Sequence, residues 1–221
     1  MHSTRIKICC IESIAEAKLA IQSGASAVGL VSEMPSGPGP IPDHLIAEIA
    51  GIIPPGIDSF LLTSHQDVAS IAAQLRRFSV TTVQLCDKLL SGSYDQLRAK
   101  APGIRIVQVI HVTGEKAIHE VQQLYRSVDA ILLDSGDPSE PVKRLGGTGR
   151  VHDWAISRRI RDLFDIPIYL AGGLGPDNVE EAIQRVHPYA VDVCSGVRTN
   201  GSLDEKKLHA FIKSVKSAGI A

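Results

Sequence analysis

The chain has 221 residues, 23 of them Lys or Arg and 24 Asp or Glu, for a formal net charge of −1. Apolar residues make up 44% and charged residues 21%, which excludes a disordered, collagen-like or coiled-coil chain. The near-zero charge excludes a binder of nucleic acid by bulk electrostatics.

In chain order, short apolar runs alternate with amphipathic stretches. The runs lie at 6–10, 25–31, 57–62, 81–85, 104–110, 129–133, 167–171 and 190–194. They are β-branched or aliphatic and suit strands buried on both faces. Between them, helices are expected over 13–23, 42–50, 66–77, 93–100, 115–126, 152–163, 176–186 and 203–216. Ser13 is an expected N-cap and Gly24 the residue that ends the first helix. Pro176 suits a first helical turn. A strand–helix unit repeated eight times predicts parallel strands joined by right-handed crossovers. That fits one closed (β/α)8 barrel over residues 1–221, near the lower size limit of the fold. An open doubly wound sheet is the rival, disfavoured by the count of eight and by the lack of GxGxxG after the first strand.

No apolar run approaches the roughly 18 residues of a membrane helix, and no secretory apolar segment opens the sequence. Four cysteines without such a segment read as reduced thiols, so a cytoplasmic protein is expected, with no membrane and no nucleic-acid partner. Its state is expected to be monomeric or homodimeric.

Chemistry in such a barrel sits at the C-terminal strand ends. Three glycine-bearing turns stand at late strands: Gly146-Gly147-Thr148-Gly149, Gly172-Gly173 and Ser195-Gly196. Each precedes an expected helix start, where free N–H groups and the helix dipole favour an anion. Phosphate sites recur after strands seven and eight, although glycine in a tight turn also has purely backbone reasons.

Cys9 and Asp134 are the reactive residues expected on this rim. Strand alternation puts Lys7 and Cys9 on one face, and an ammonium there lowers a thiol pKa. Asp134 ends an apolar strand, so desolvation raises its pKa and suits it to general-acid work. Read singly, Cys9 is a small buried residue and Asp134 a turn ligand. Read together, opposite a phosphate cradle, they form an acid–base pair. Lys7 and Asp192 fall on strands that become neighbours when the barrel closes, so they are expected to pair, either to fix packing or to take part in catalysis. The connection 135–150 has no periodicity and reads as a lid carrying Lys143, Arg144 and Arg150. Cys9, Cys10, Cys86 and His111 share the rim and include zinc-type ligands, but their spacings match no short metal motif, so no metal is expected. His111 read plainly is a rim residue satisfied by a backbone carbonyl or water.

Taken in order, Lys7-Ile8-Cys9, Val83-Gln84-Leu85, Leu132-Leu133-Asp134-Ser135, Gly146-Gly147-Thr148-Gly149, Asp153-Trp154, Ala171-Gly172-Gly173 and Asp192-Val193-Cys194-Ser195-Gly196-Val197 resemble the phosphoribosylanthranilate isomerase family of tryptophan biosynthesis. The resemblance implies a (β/α)8 barrel without cofactor or metal. It implies an Amadori rearrangement of an aminoaldose phosphate to an aminoketose phosphate. In it Asp134 is the general acid and Cys9 the general base. Gly147, Thr148, Gly149, Gly172, Gly173, Ser195 and Gly196 hold the phosphate of a small sugar-phosphate substrate. Lys7, Gln84, Lys143 and Arg144 are the remaining expected substrate contacts.

The sequence departs from the family at the anthranilate end. Cys10 follows the cysteine where glycine is usual, and Cys86-Asp87 stands in place of His-Gly. Residues 32–40 carry no arginine for the anthranilate carboxylate, leaving Glu33 and Asp87 expected nearby, and Arg198 stands where glutamate is common. Three readings follow: this isomerase itself, a relative acting on another sugar phosphate, or a non-catalytic phosphate-ligand binder.

Overall fold

A computed structural model of the chain describes residues 3–136 and 151–218. Eight parallel strands close into one barrel: β1 (Arg5–Ile8), β2 (Ala27–Val31), β3 (Asp58–Thr63), β4 (Thr82–Leu85), β5 (Arg105–His111), β6 (Ala130–Asp134), β7 (Ile168–Leu170) and β8 (Ala190–Val193). Closure runs through β1 and β8, with Lys7 opposite Asp192 and Ile8 opposite Val193. The crossover helices are α1 (Ile14–Ser23), α2 (Asp43–Ile52), α3 (Val68–Leu75), α4 (Tyr94–Lys100), α5 (Lys116–Leu124), α6 (Trp154–Leu163), α7 (Val179–Val186) and α8 (Glu205–Ala218). Among the described residues no helix is long and apolar enough to cross a membrane.

Strand parity splits the core in two. Outward residues such as Ile6, Ile8, Ile131 and Leu133 pack against the helices. Inward residues such as Ala27, Phe60, Val107, Ala130, Leu132, Tyr169 and Ala190 fill the barrel. The same parity carries Cys9, Leu62, Cys86 and Ala171 to the top of the inner cluster. Gly29 makes room there, because a Cβ on it would stand 2.9 Å from the Cys9 sulfur.

Local signals set most helix ends. The Ser13 hydroxyl accepts from the Glu16 N–H at 3.1 Å, and Gly24 ends α1 in the left-handed region at φ 113°. The last third of the chain differs from expectation. Helix α7 begins at Val179, not 176, because the Asn178 side chain first stitches the turn: its Oδ1 accepts from the Gly175 N–H at 2.8 Å and its Nδ2 donates to the Gly173 carbonyl at 2.9 Å. The Ser195 turn does not lead into a long helix either. A single 3-10 turn (Ser195–Val197) follows β8, then a hairpin of β9 (Arg198–Thr199) and β10 (Ser202–Leu203), and α8 begins only at Glu205.

Candidate active site

The C-terminal mouth of the barrel opens into a cleft. Its floor carries Cys9, Gln84, Cys86, Asp134 and Asp192. Met34, Ser36, Gly37 and Pro38 of the β2–α2 connection form one wall; Gly172, Gly173 and Ser195, after β7 and β8, form the other. The structure therefore brings Cys9, Asp134, Gln84, Gly172, Gly173 and Ser195 together. Gly196 lies one residue behind Ser195, packed so tightly that a Cβ would collide with the Leu174 carbonyl oxygen and stand 2.9 Å from the Gly175 Cα. Gly147, Thr148, Gly149, Lys143, Arg144 and most of the 135–150 connection lie outside the described residues.

Lys7 sits below the floor. It is fully buried, its Nζ donates to Asp192 Oδ2 at 2.8 Å, and it stands 5.1 Å over the Phe60 ring. Burial alone lowers an ammonium pKa, but the Asp192 carboxylate outweighs it and holds Lys7 protonated, above its ordinary range. So the expected pair with Asp192 forms, and Lys7 acts on the cleft through its charge. The cations lining the cleft number none among the described residues. Glu33 is exposed and Asp87 lies outside the lining, so neither expected carboxylate faces the cleft.

Cys9 and Asp134 are pushed in opposite directions. The Cys9 thiol is held below the ordinary thiol range, first by a hydrogen bond from Cys10, against the opposing effect of burial, and then by the Lys7 charge. The Asp134 carboxyl is pushed above the carboxylate range by burial, despite a 2.7 Å hydrogen bond donated by the Ser135 N–H and the nearby His111 ring. Burial also drives the Cys86 thiol up to about 12, which keeps it protonated. Gln84 Nε2 donates to the Cys86 sulfur at 3.7 Å. Gln84 Oε1 and Asp192 Oδ1, both buried, find no hydrogen-bond partner among the described residues. His111 Nε2 lies 3.3 Å from the Cys86 carbonyl, the plain role expected for it. No group of three or more His, Cys, Asp or Glu among the described residues is arranged to hold a metal ion.

Sequence reasoning reached residues 32–40 only through the family resemblance and missed that Met34–Pro38 form a wall of the cleft, because the segment has no periodicity. It also missed His152, whose Nε2 lies 2.7 Å from Ser157 Oγ and which burial drives down to about 4. A Cβ on Gly172 would stand 3.0 Å from its Nδ1.

Comparison with known proteins gives a consistent result. The family profile described as N-(5′-phosphoribosyl)anthranilate (PRA) isomerase matches residues 6–214. The chain is 39% identical over 215 residues to N-(5′-phosphoribosyl)anthranilate isomerase 2 of Methanosarcina mazei, covering 96% of this chain and 94% of that one. It is 35% identical over 217 residues to the corresponding isomerase of Haloferax volcanii, covering 97% and 94%. Its fold is similar to that of phosphoribosyl anthranilate isomerase from Thermotoga maritima, with a TM-score of 0.80 at 30% identity over 97% of this chain and 99% of that chain. It is also similar, with a TM-score of 0.77 at 29% identity and the same coverage, to a phosphoribosyl anthranilate isomerase in complex with reduced 1-(o-carboxyphenylamino)-1-deoxyribulose 5-phosphate.

Proposed function

The chain belongs to the N-(5′-phosphoribosyl)anthranilate isomerase family, and from that premise we propose that it is an aldose–ketose isomerase of tryptophan biosynthesis in which Asp134 is the general acid and Cys9 the general base. The observation that carries this reading is the placement of both groups on the floor of one cleft, opposite the Gly172–Gly173 and Ser195 turns.

Asp134, whose carboxyl burial pushes above the carboxylate range, gives its proton to the furanose ring oxygen. The C1–O bond breaks, and the nitrogen lone pair closes an iminium at C1. Cys9, its thiol lowered by the Cys10 hydrogen bond and the Lys7 charge, then takes the proton at C2 as the thiolate. The resulting enolamine relaxes to the aminoketose. The two shifts bring the acid and the base toward one another, which raises the share of enzyme that holds a proton on Asp134 and lacks one on Cys9 at a single pH. The unpaired acceptors Gln84 Oε1 and Asp192 Oδ1 are matched to sugar hydroxyls, since a buried acceptor without a partner is costly unless a ligand satisfies it. Backbone N–H groups of Gly172, Gly173, Ser195 and Gly196, with Gly147, Thr148 and Gly149, hold the phosphate. With no cation on the described lining, the substrate carboxylate falls to Lys143 or Arg144. We take residues 1–221 as one such domain.

The test is a turnover assay in which phosphoribosylanthranilate is generated in situ and its fluorescence loss followed. Cys9→Ala and Asp134→Asn should each lower kcat by roughly 10²–10⁴-fold, the usual contribution of one acid–base group. Turnover within tenfold of wild type in either variant removes that residue from the mechanism. No turnover by wild type, with inorganic phosphate still raising Tm, favours another sugar phosphate.

A further inference from the structure

Three of the four cysteines meet at the corner where the barrel closes. Cys9 and Cys10 follow β1 and Cys194 follows β8, two strands held in register with the Cys9 N–H donating to the Val193 carbonyl at 2.8 Å. Parity sends Cys9 into the cleft and would send the next residue out toward the helices. Cys10 instead adopts the left-handed region, at φ 59°. That turns its side chain back onto β8, and both Cys10 and Cys194 line the cleft. Their sulfurs stand 2.7 Å apart, far inside ordinary contact and approaching the roughly 2.05 Å of a disulfide bond.

The corner is held firmly. The Arg198 guanidinium donates through Nη2 to the Cys10 carbonyl and to Glu16 Oε2 (2.8 Å), and through Nη1 to Glu16 Oε1 (3.1 Å) and the Gly201 carbonyl (2.6 Å). From the other side Gly39 closes over Cys10, where a Cβ would stand 2.6 Å from the Cys10 Cβ. A pair of sulfurs fixed on two locked strands has its geometry set before any bond forms, which is the condition for a disulfide without backbone movement.

We propose that Cys10 and Cys194 are a disulfide-forming pair, closed by a low-molecular-weight disulfide and opened by thiols, and that closing it slows turnover at the neighbouring Cys9. The rate effect rests on the catalytic reading above; the bond itself does not. Cys194 is the one cysteine of the four that is not buried. Its thiolate attacks the small disulfide RS–SR, forming Cys194–S–SR and releasing RS⁻. The Cys10 sulfur then attacks the Cys194 sulfur and expels the second RS⁻. The two cysteine protons end on the two RSH molecules, the cysteine pair is oxidised by two electrons, and RS–SR is reduced by two. The bond ties together two residues of the cleft lining beside Cys9 and removes the S–H of Cys10, its neighbour in the chain.

The purified chain is incubated with excess oxidised glutathione, then its thiols are counted in denaturant and its tryptic peptides are mapped. The expected result is a fall from four free thiols to two and a link between peptides 8–18 and 186–198. That link should persist in Cys9→Ser and vanish in both Cys10→Ser and Cys194→Ser. Turnover should fall roughly tenfold or more, the size of one hydrogen bond to a charged group, recover with dithiothreitol, and be insensitive to oxidised glutathione in Cys194→Ser. Four thiols remaining, a link that needs Cys9 or Cys86, or an oxidised form as fast as the reduced one overturns the proposal. A correct link in a chain that converts phosphoribosylanthranilate in neither redox form upholds the pair and refutes the catalytic reading instead.

Discussion

Lys7 and Asp192 form an ion pair at the seam of the barrel, the lysine wholly buried and the aspartate on the cleft floor, and their removal one at a time or together separates two accounts of what they contribute. The ammonium is wholly buried, 2.8 Å from Asp192 Oδ2, while Asp192 Oδ1 has no hydrogen-bond partner among the described residues. Lys7→Met leaves a buried carboxylate with no counter-charge, and Asp192→Leu leaves a buried ammonium against the Phe60 ring. Either should cost about 3–5 kcal/mol. For a chain of this length, at about 2–4 °C per kcal/mol, that lowers Tm by about 6–20 °C. The double variant removes both charges and places apolar groups in an interior that is otherwise Phe60, Leu132 and Tyr169. It should return to within about 1 kcal/mol of wild type, since such replacements are often neutral or stabilising. The assay is urea unfolding at pH 7 followed by circular dichroism, with the denaturant slope checked for constancy across the four proteins. Single variants within 1 kcal/mol of wild type would mean that water reaches the pair. A double variant as unstable as the two losses added would mean that shape, not charge, is what the seam requires.

Three further outcomes follow from the same geometry. The rate should be bell-shaped in pH, because turnover needs Cys9 ionised and Asp134 protonated, and the two groups are shifted toward one another, the thiol down and the carboxyl up; Lys7→Met should move the Cys9 limb upward, and an unmoved limb refutes the charge argument. His152 is held neutral down to about 4 against an ordinary 6.5. The unfolded chain therefore binds a proton that the folded one refuses, and stability falls as pH drops from 6.5 to 4, by about 3 kcal/mol at about 1.4 kcal/mol per pH unit. His152→Gln should flatten that slope, and parallel stability–pH curves for the two proteins refute it. Gly196→Ala should cost about 1–3 kcal/mol and raise KM, because the obstructing Leu174 carbonyl and Gly175 Cα are backbone; an unchanged Tm and KM refute the close packing of the two turns.

The barrel was legible because each strand is buried on both faces. A doubly buried strand needs an uninterrupted apolar run, and all eight runs fall within two residues of the observed strands. Parity then placed Lys7 with Cys9, and closure placed Lys7 with Asp192, from residue order alone. The hairpin after β8 escaped because two-residue strands carry no period. Its signal was nevertheless present: Asn200 and Gly201, at φ 52° and 85°, are the residue types that a two-residue hairpin turn selects. The start of α7 was misplaced for a different reason. Pro176 has the φ of a helical turn, but the Asn178 side chain competes for the local N–H groups and delays the helix by three residues.

The site was legible in composition and not in electrostatics. That Cys9 and Asp134 stand on one rim follows from parity and the fold. How far each is pushed depends on neighbours that parity does not supply. The lowering at Cys9 was expected from Lys7, yet its first cause is the adjacent Cys10, which faces it only because one residue crosses into the left-handed region. An alternating strand separates successive side chains, so no reading of strand pattern can put two consecutive cysteines on one cleft. The conformation that does so is fixed by Arg198 and Gly39, which are 188 and 29 residues away from Cys10 in the chain. The lowering at Cys9 therefore depends on tertiary contacts to a single residue of the β1–α1 turn. For the same reason, a change at Cys10 should be felt at Cys9 before it is felt anywhere else in the barrel.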